Sequence, residues 1–234
     1  GADFKLALQQ VLFAASADEA RPVLTGVYLH TEKGSLYAVA TDSYRLAEKK
    51  IRKSDKTISL LLPASSLQDV LRVMRDESTP VTIQYDDTQA RFSVGPVELV
   101  TRLIEGSYPD YRRLMPKKSE TTAKLALSDL QEITKVSSLF AREAAGGVTV
   151  TISEDDNSVS IRSIASQVGE NTAHAEADVS GDAAITMNSR YILDALSAFN
   201  GKSVQLNVNG KLDPCMLTDP DSSDYLHIVM PVKS

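Results

Sequence analysis

Apolar and polar residues alternate strictly in Val148-Thr149-Val150-Thr151-Ile152 and in Val204-Gln205-Leu206-Asn207-Val208. That period of two predicts strands with one face on a core and the other in water. Residues 81–85 and 90–94 follow the same pattern. Short polar turns separate such runs, among them Asp86-Asp87, Glu154-Asp155-Asp156-Asn157 and Asn209-Gly210. They suit antiparallel hairpins and leave no room for helical crossovers. Two stretches have the helical period instead. Leu67, Val70, Leu71 and Met74 follow Ser65-Ser66, and Ile192, Ala195, Leu196 and Phe199 follow Asn188-Ser189. Each stripe is wide enough to pack one helix face on a sheet. Corresponding members lie 125 residues apart, so the chain carries an internal repeat.

The repeat extends beyond these helices. Residues 58–62 align with residues 183–187 as a strand entering the helix. A further helix opens each half, with Phe4, Leu8, Val11 and Leu12 on one side in the first and Leu130, Ile133, Val136 and Phe140 in the second. Ser128 is the expected N-cap of the latter, with Gln131 as its capping-box partner. Each half reads helix, three strands, strand, helix, three strands. The expected fold class is α+β: two similar domains, each of two βαβββ units, with helices on one side of mainly antiparallel sheets. The connector falls in residues 106–116, where Pro109 and Pro116 disfavour helix and central strand. Tyr108, Tyr111, Leu114 and Met115 give it apolar surface that must pack against a domain or a partner. The expected domains are residues 1–112 and 113–234.

The 234 residues are 42% apolar and 24% charged, enough to bury a sizeable core. The 25 basic and 31 acidic side chains leave a net charge of −6. Nucleic-acid binding through overall charge is therefore excluded, and a locally basic face is not. One cysteine, Cys215, rules out an internal disulfide framework, and the three histidines lack zinc-ligand spacing. No apolar run approaches the roughly 20 residues of a membrane span, and the first five residues have no signal-peptide core. A cytoplasmic protein without membrane contact is expected.

Catalytic chemistry finds little support. Thr41-Asp42-Ser43-Tyr44-Arg45 offers hydroxyls, a carboxylate and a guanidinium but no nearby histidine or lysine base. It reads as a strand-to-strand turn in which Asp42 and Ser43 bond backbone groups. His30, His174 and His227 fall on or beside predicted strands and read as surface or interface residues. Gly146-Gly147 does not form a phosphate-cradling loop ahead of a helix. Cys215 lies in an apolar strand stretch and reads as a small buried side chain. No catalytic residue, metal or cofactor is expected. The last predicted strand runs through Ile228-Val229-Met230 into Pro231-Val232-Lys233-Ser234. That apolar end is either a core strand with a short tail or part of a groove for an apolar peptide.

Three segments carry a family resemblance: Val39-Ala40-Thr41-Asp42-Ser43-Tyr44-Arg45-Leu46-Ala47, Tyr108-Pro109-Asp110-Tyr111-Arg112-Arg113-Leu114 with Pro116 behind it, and Ile228-Val229-Met230-Pro231. Together they resemble the bacterial DNA sliding clamp family, the beta subunit of DNA polymerase III. The motifs occur in order and span nearly the whole chain, and the repeat of βαβββ units agrees with the DNA-clamp fold that the family implies. Only the middle and C-terminal domains of three are matched, with the first of them starting near its first helix. The resemblance therefore implies a fragment with its start truncated. In the family two protomers form a homodimeric ring head to tail, a contact that needs two different faces.

The resemblance implies a processivity factor that encircles duplex DNA without reading sequence and makes or breaks no bond. Implied partners are the DNA polymerase III catalytic subunit, the clamp loader and other clamp-binding proteins of replication and repair. The implied peptide pocket comprises Leu24, Thr41, Ser43, Tyr44, Arg45 and Leu46 of the first domain and Pro109, Arg113 and Leu114 of the connector. The second domain adds Asn188, Tyr191, Pro214, Ile228, Val229, Met230, Pro231 and Val232. Leu24, Leu46, Ile228, Val229 and Met230 would supply its apolar part, and Arg45 and Arg113 its polar rim. Tyr44 stands where the family frequently has histidine, and Lys233-Ser234 replace an arginine and a final leucine. Lys5, Arg72, Lys135, Arg142 and Arg190 fall on the predicted helices away from the apolar stripes and are the expected DNA-facing charges. A reading from another class is a stand-alone peptide-binding module that never encircles DNA. A third, hydrolysis by Thr41, Asp42 and Arg45, is disfavoured by the missing base.

Overall fold

The alternating segments form strands and the two 125-spaced stripes form helices in a computed structural model, which describes residues 1–76, 78–116, 118–141, 145–165 and 169–232. The chain divides into two compact units, Gly1–Asp110 and Tyr111–Ser234. The division falls inside the Pro-containing connector.

The first unit runs α1 (Ala2–Val11), β1 (Gly26–Glu32), β2 (Ser35–Thr41), β3 (Arg45–Lys53), β4 (Ser59–Pro63), α2 (Ala64–Val73), β5 (Val81–Tyr85), β6 (Gln89–Val94) and β7 (Val97–Arg102). Its strands are ordered β3-β2-β1-β4 and β5-β6-β7, paired antiparallel throughout. Phe4, Ala7, Leu8 and Val11 of α1, Leu67 and Val70 of α2 and Met74 just after it are buried, as are Val27, Leu29, Ala38 and Phe92 of the sheets. This apolar layer fixes the helices to one side of the strands and leaves Tyr28 and His30 on the other face of β1.

The second unit adds β8 (Thr121–Ala126), α3 (Leu127–Phe140), β9 (Gly147–Ser153), β10 (Ser158–Ala165), β11 (Gly169–Glu176), β12 (Asp178–Ser180), β13 (Ala183–Asn188), α4 (Ser189–Ala198), β14 (Ser203–Val208), β15 (Cys215–Asp219) and β16 (Ser222–Val229). Its strands are ordered β11-β10-β9-β13 and β12-β8-β14-β15-β16, again antiparallel. All four members of the second stripe, Ile192, Ala195, Leu196 and Phe199, are buried. The repeat reaches single hydrogen bonds. Ile104 N–H donates to Leu61 O at 2.9 Å, and Val232 N–H donates to Thr186 O at 2.8 Å, two carbonyls that are 125 residues apart.

Four expectations change. The third strand of the second unit is split, β11 in one sheet and β12 beside β8 in the other. The α3 helix starts one residue before Ser128, whose hydroxyl turns to Asp129 Oδ1 (2.9 Å) while Gln131 Nε2 donates to Leu196 O (3.2 Å). There is no capping box there. The buried face of α3 is Leu130, Ile133, Thr134 and Ser137, and Val136 is 39% exposed. Thr134 can be buried because its hydroxyl donates to Leu130 O (2.6 Å), and Ser137 because it donates to Ile161 O (3.2 Å). The histidines also differ from expectation, since His30 and His227 are buried.

Candidate functional site

In the first unit, Thr41, Ser43, Tyr44, Arg45 and Leu46 are gathered in the turn between β2 and β3. Asp42 organises it. Its Oδ1 accepts from Tyr44 N–H and Arg45 N–H, both at 2.9 Å, and its Oδ2 accepts from Arg45 Nε at 3.1 Å. This is an Asx turn closed by an ion pair. Thr41 adds a second clasp, its hydroxyl donating to Arg45 O (2.6 Å) and accepting from Ser43 N–H (3.1 Å). Ser43 sits at φ 78°, in the left-handed region that is costly for a residue with a Cβ. Arg21 holds it there by donating from Nη1 to Ser43 Oγ (3.0 Å). Arg45 Nη2 donates to Phe13 O (2.7 Å), and its guanidinium lies 5.4 Å from the Phe13 ring centroid. With so many polar groups tied down, Tyr44 is the large side chain that turns outward, 58% exposed, beside the smaller exposed Ser43. Leu24, in a 3-10 turn (Pro22–Leu24), and Leu46 are buried.

Pro109 is exposed at the end of the connector's path along this unit. Ile104 N–H bonds Leu61 O, Gly106 at φ 122° passes so close to Val23 that a Cβ would stand 2.8 Å from its Cγ1, and the Tyr108 ring stacks on Tyr28 at 5.0 Å. Burial pushes the Tyr108 phenol well above the ordinary tyrosine range, and the nearby Thr41 backbone acts weakly the other way.

In the second unit, residues Tyr111–Leu114 form a 3-10 turn with Tyr111 buried, while Arg113 and Leu114 face solvent. Asn188 is the N-cap of α4: its Oδ1 accepts from Arg190 N–H (2.9 Å) and its Nδ2 donates to Ala145 O (3.2 Å). Tyr191 follows on the first turn, half-buried. The end of the chain is partly a core strand. Ile228 and Val229 are buried, whereas Met230, Pro231 and Pro214 are half-buried and Val232 is 41% exposed. Of Leu24, Leu46, Ile228, Val229 and Met230, expected to form the apolar part of a pocket, Met230 is therefore the one with surface to offer.

The expected DNA-facing residues lie on different helices. Lys5 is half-buried on α1; Arg72 on α2, Lys135 on α3 and Arg190 on α4 are exposed. Arg72 Nη1 contacts Asp69 Oδ1 at 2.8 Å. Arg142, like Lys233 and Ser234, lies outside the described residues. Sequence reasoning missed Phe13 and Arg21, which brace the turn from 32 and 22 residues away; no local signal marks them. Among the described residues no group of His, Cys, Asp and Glu could hold a metal.

Two family descriptions match consecutive parts of the chain: "DNA polymerase III beta subunit, central domain" over residues 1–110 and "DNA polymerase III beta subunit, C-terminal domain" over residues 112–233. The chain belongs to the DNA polymerase III beta subunit family. Its relatives include a beta sliding clamp of Staphylococcus aureus, 31% identical over 236 residues that cover 98% of this chain and 62% of the relative. The sliding clamp of Bacillus subtilis superposes with a TM-score of 0.93 at 29% identity, covering 99% of this chain and 62% of that one. A Pseudomonas aeruginosa clamp at 21% identity shares the fold with a TM-score of 0.93. The chain thus spans about 62% of the length of the curated relatives it matches. Beta sliding clamps are non-catalytic processivity factors. The family agrees with the use of Thr41, Asp42 and Arg45, whose polar groups are spent on holding a turn.

Proposed function

We propose that these two domains act as a docking module for short peptide motifs of replication and repair proteins, with the DNA polymerase III catalytic subunit and the clamp loader as the natural partners. The braced Thr41–Arg45 turn carries the reading. It presents one large amphipathic side chain, Tyr44, from a backbone that cannot relax away, and such pre-organisation lowers the entropy cost of binding. The half-buried Met230 and the exposed Leu114 and Val232 supply apolar surface of the kind that anchors aromatic and leucine side chains. Such partners place the protein in the cytoplasm, and no helix among the described residues is long and apolar enough to cross a membrane.

A labelled peptide containing Gln and Leu-Phe is expected to bind in the micromolar range by fluorescence anisotropy. Met230→Ala and Tyr44→Ala should each weaken it by at least about 1 kcal/mol. Unchanged affinity in both variants removes the docking reading. A second reading, passage of duplex DNA through a closed ring, is favoured by exposed basic residues on helices of an acidic chain. Light scattering tests it: a ring needs an assembly, and a monomer at every concentration is incompatible with closure by this chain alone.

A further inference from the structure

Four aromatic rings stand in a row on the first unit. Tyr108 stacks on Tyr28 (centroids 5.0 Å apart, planes 23° apart), Tyr28 on His30 (4.7 Å, 14°) and His30 on Tyr37 (5.6 Å, 21°). The sheet explains the row. Tyr28 and His30 are two apart on β1 and share a face, and His30 is directly opposite Tyr37 on β2. That face is the one turned away from the helices, since the alternate residues Val27 and Leu29 of β1 are buried in the core. The Tyr28 hydroxyl lies 3.1 Å from Ser59 Oγ on β4, which fixes the ring that receives Tyr108.

We propose that this row is an anchor that positions the connector: Tyr28, held by His30 and Tyr37, is a positioning residue that acts through Tyr108 on the neighbouring Pro109. The inference rests on the peptide-docking reading for its functional consequence. Three holds keep the connector on this unit, and they come in order along the chain. The Ile104 bond to Leu61 is first, the close pass of Gly106 over Val23 is second, and the stack is last. Beyond Gly106 the stack holds the path into Pro109, so loosening it should free the residues expected to meet a peptide while the sheet stays intact. The Tyr108 hydroxyl oxygen is buried, and the Thr41 backbone lies against it.

The test compares Tyr28→Ala, Tyr28→Phe and Tyr108→Ala in the full chain. Hydrogen exchange is read on residues 106–110 and on Val27, Leu29 and Val39, and affinity is read with the labelled Gln/Leu-Phe peptide. Tyr28→Ala and Tyr108→Ala should speed exchange in the connector, leave the three core amides protected, and weaken the peptide about three- to tenfold, as expected for one aromatic pair. Tyr28→Phe keeps the ring and should restore both readings. Tyr108→Ala lies on the connector itself, so it keeps the test informative if Tyr28→Ala unfolds the sheet. Unchanged exchange in residues 106–110 in a folded alanine variant overturns the anchor. Faster exchange with unchanged peptide affinity overturns its positioning role. Failure of the wild-type chain to bind any peptide removes the docking reading instead, and the exchange comparison still decides whether the stack holds the connector.

Discussion

Asp42 shows how much one side chain can settle. It accepts from two backbone N–H groups and pairs with an Arg45 that is itself nearly buried, the two side chains being 14% and 12% exposed. Asp42→Ala would leave those donors and the guanidinium without their acceptor, a loss of about 2–3 kcal/mol. Asp42→Asn keeps an acceptor at Oδ1 and should cost less than half of that in urea denaturation; equal costs would show that the backbone bonds are not what Asp42 provides. Cys215 presents the opposite case, a reactive group made inert. Burial on β15 pushes its thiol from the usual value near 9 up to about 12. The folded state therefore keeps a proton that the unfolded chain releases from about pH 9, and this group's contribution to stability is intact below that pH and lost between about 9 and 12. Alkylation by iodoacetamide at pH 8 should be negligible in the native protein and rapid in urea. Fast labelling without denaturant would contradict the burial. Residues of the first kind are legible in sequence where their partners are local: Asp and Ser in a Thr-Asp-Ser-Tyr-Arg run announce a turn. The brace from Phe13 and Arg21 is not, because nothing in residues 13–21 signals that the chain returns to meet a loop 22 to 32 positions later.

Helices α2 and α4 could be read from their stripes because every stripe residue is buried in both copies, with the single exception of the half-buried Leu71. The α3 helix could not be read so well. Its buried face includes Thr134 and Ser137, and a count of apolar positions drew the stripe toward Val136 instead. Hydrogen bonding decided between them, since hydroxyls that find carbonyl acceptors can be buried at little cost. The two faces predict different sensitivities. Ile133→Ala should destabilise by about 2–4 kcal/mol, the usual cost of a buried cavity, whereas Val136→Ala should stay within about 0.5 kcal/mol. Similar losses in thermal unfolding would mean that the helix is rotated from the orientation described. Sheet edges show the same limit. The alternating residues Val204, Leu206 and Val208 of β14, which is flanked by β8 and β15, are buried, while Val81 and Ile83 of β5, paired on one side to β6, are half-buried and Tyr85 is 45% exposed. The two strands have one pattern, and only the presence of a neighbouring strand separates their environments.

On the scale of the whole molecule, charge distribution matters more than total charge. A net charge of −6 would repel a polyanion at long range, so duplex contact through locally placed cations, such as those expected on the helices, is the case to test. Lys5, Arg72, Lys135 and Arg190 are four such residues, and the ion pair of Arg72 with Asp69 weakens its share. Three or four phosphate contacts imply a slope of about −3 in log affinity against log salt, or a loss of about 60-fold between 50 and 200 mM. Contacts made only to phosphates carry no sequence information. A labelled 20-base-pair duplex titrated at several salt concentrations should therefore bind weakly, with the same affinity for unrelated sequences. Lys135→Glu should lower binding to all of them alike and reduce the slope by about one. A preference for one sequence would assign the binding to base contacts. Salt-insensitive binding would remove these helices from the interface. Weak contact of this kind is what a sliding function requires, because each phosphate interaction must be released as easily as it is made.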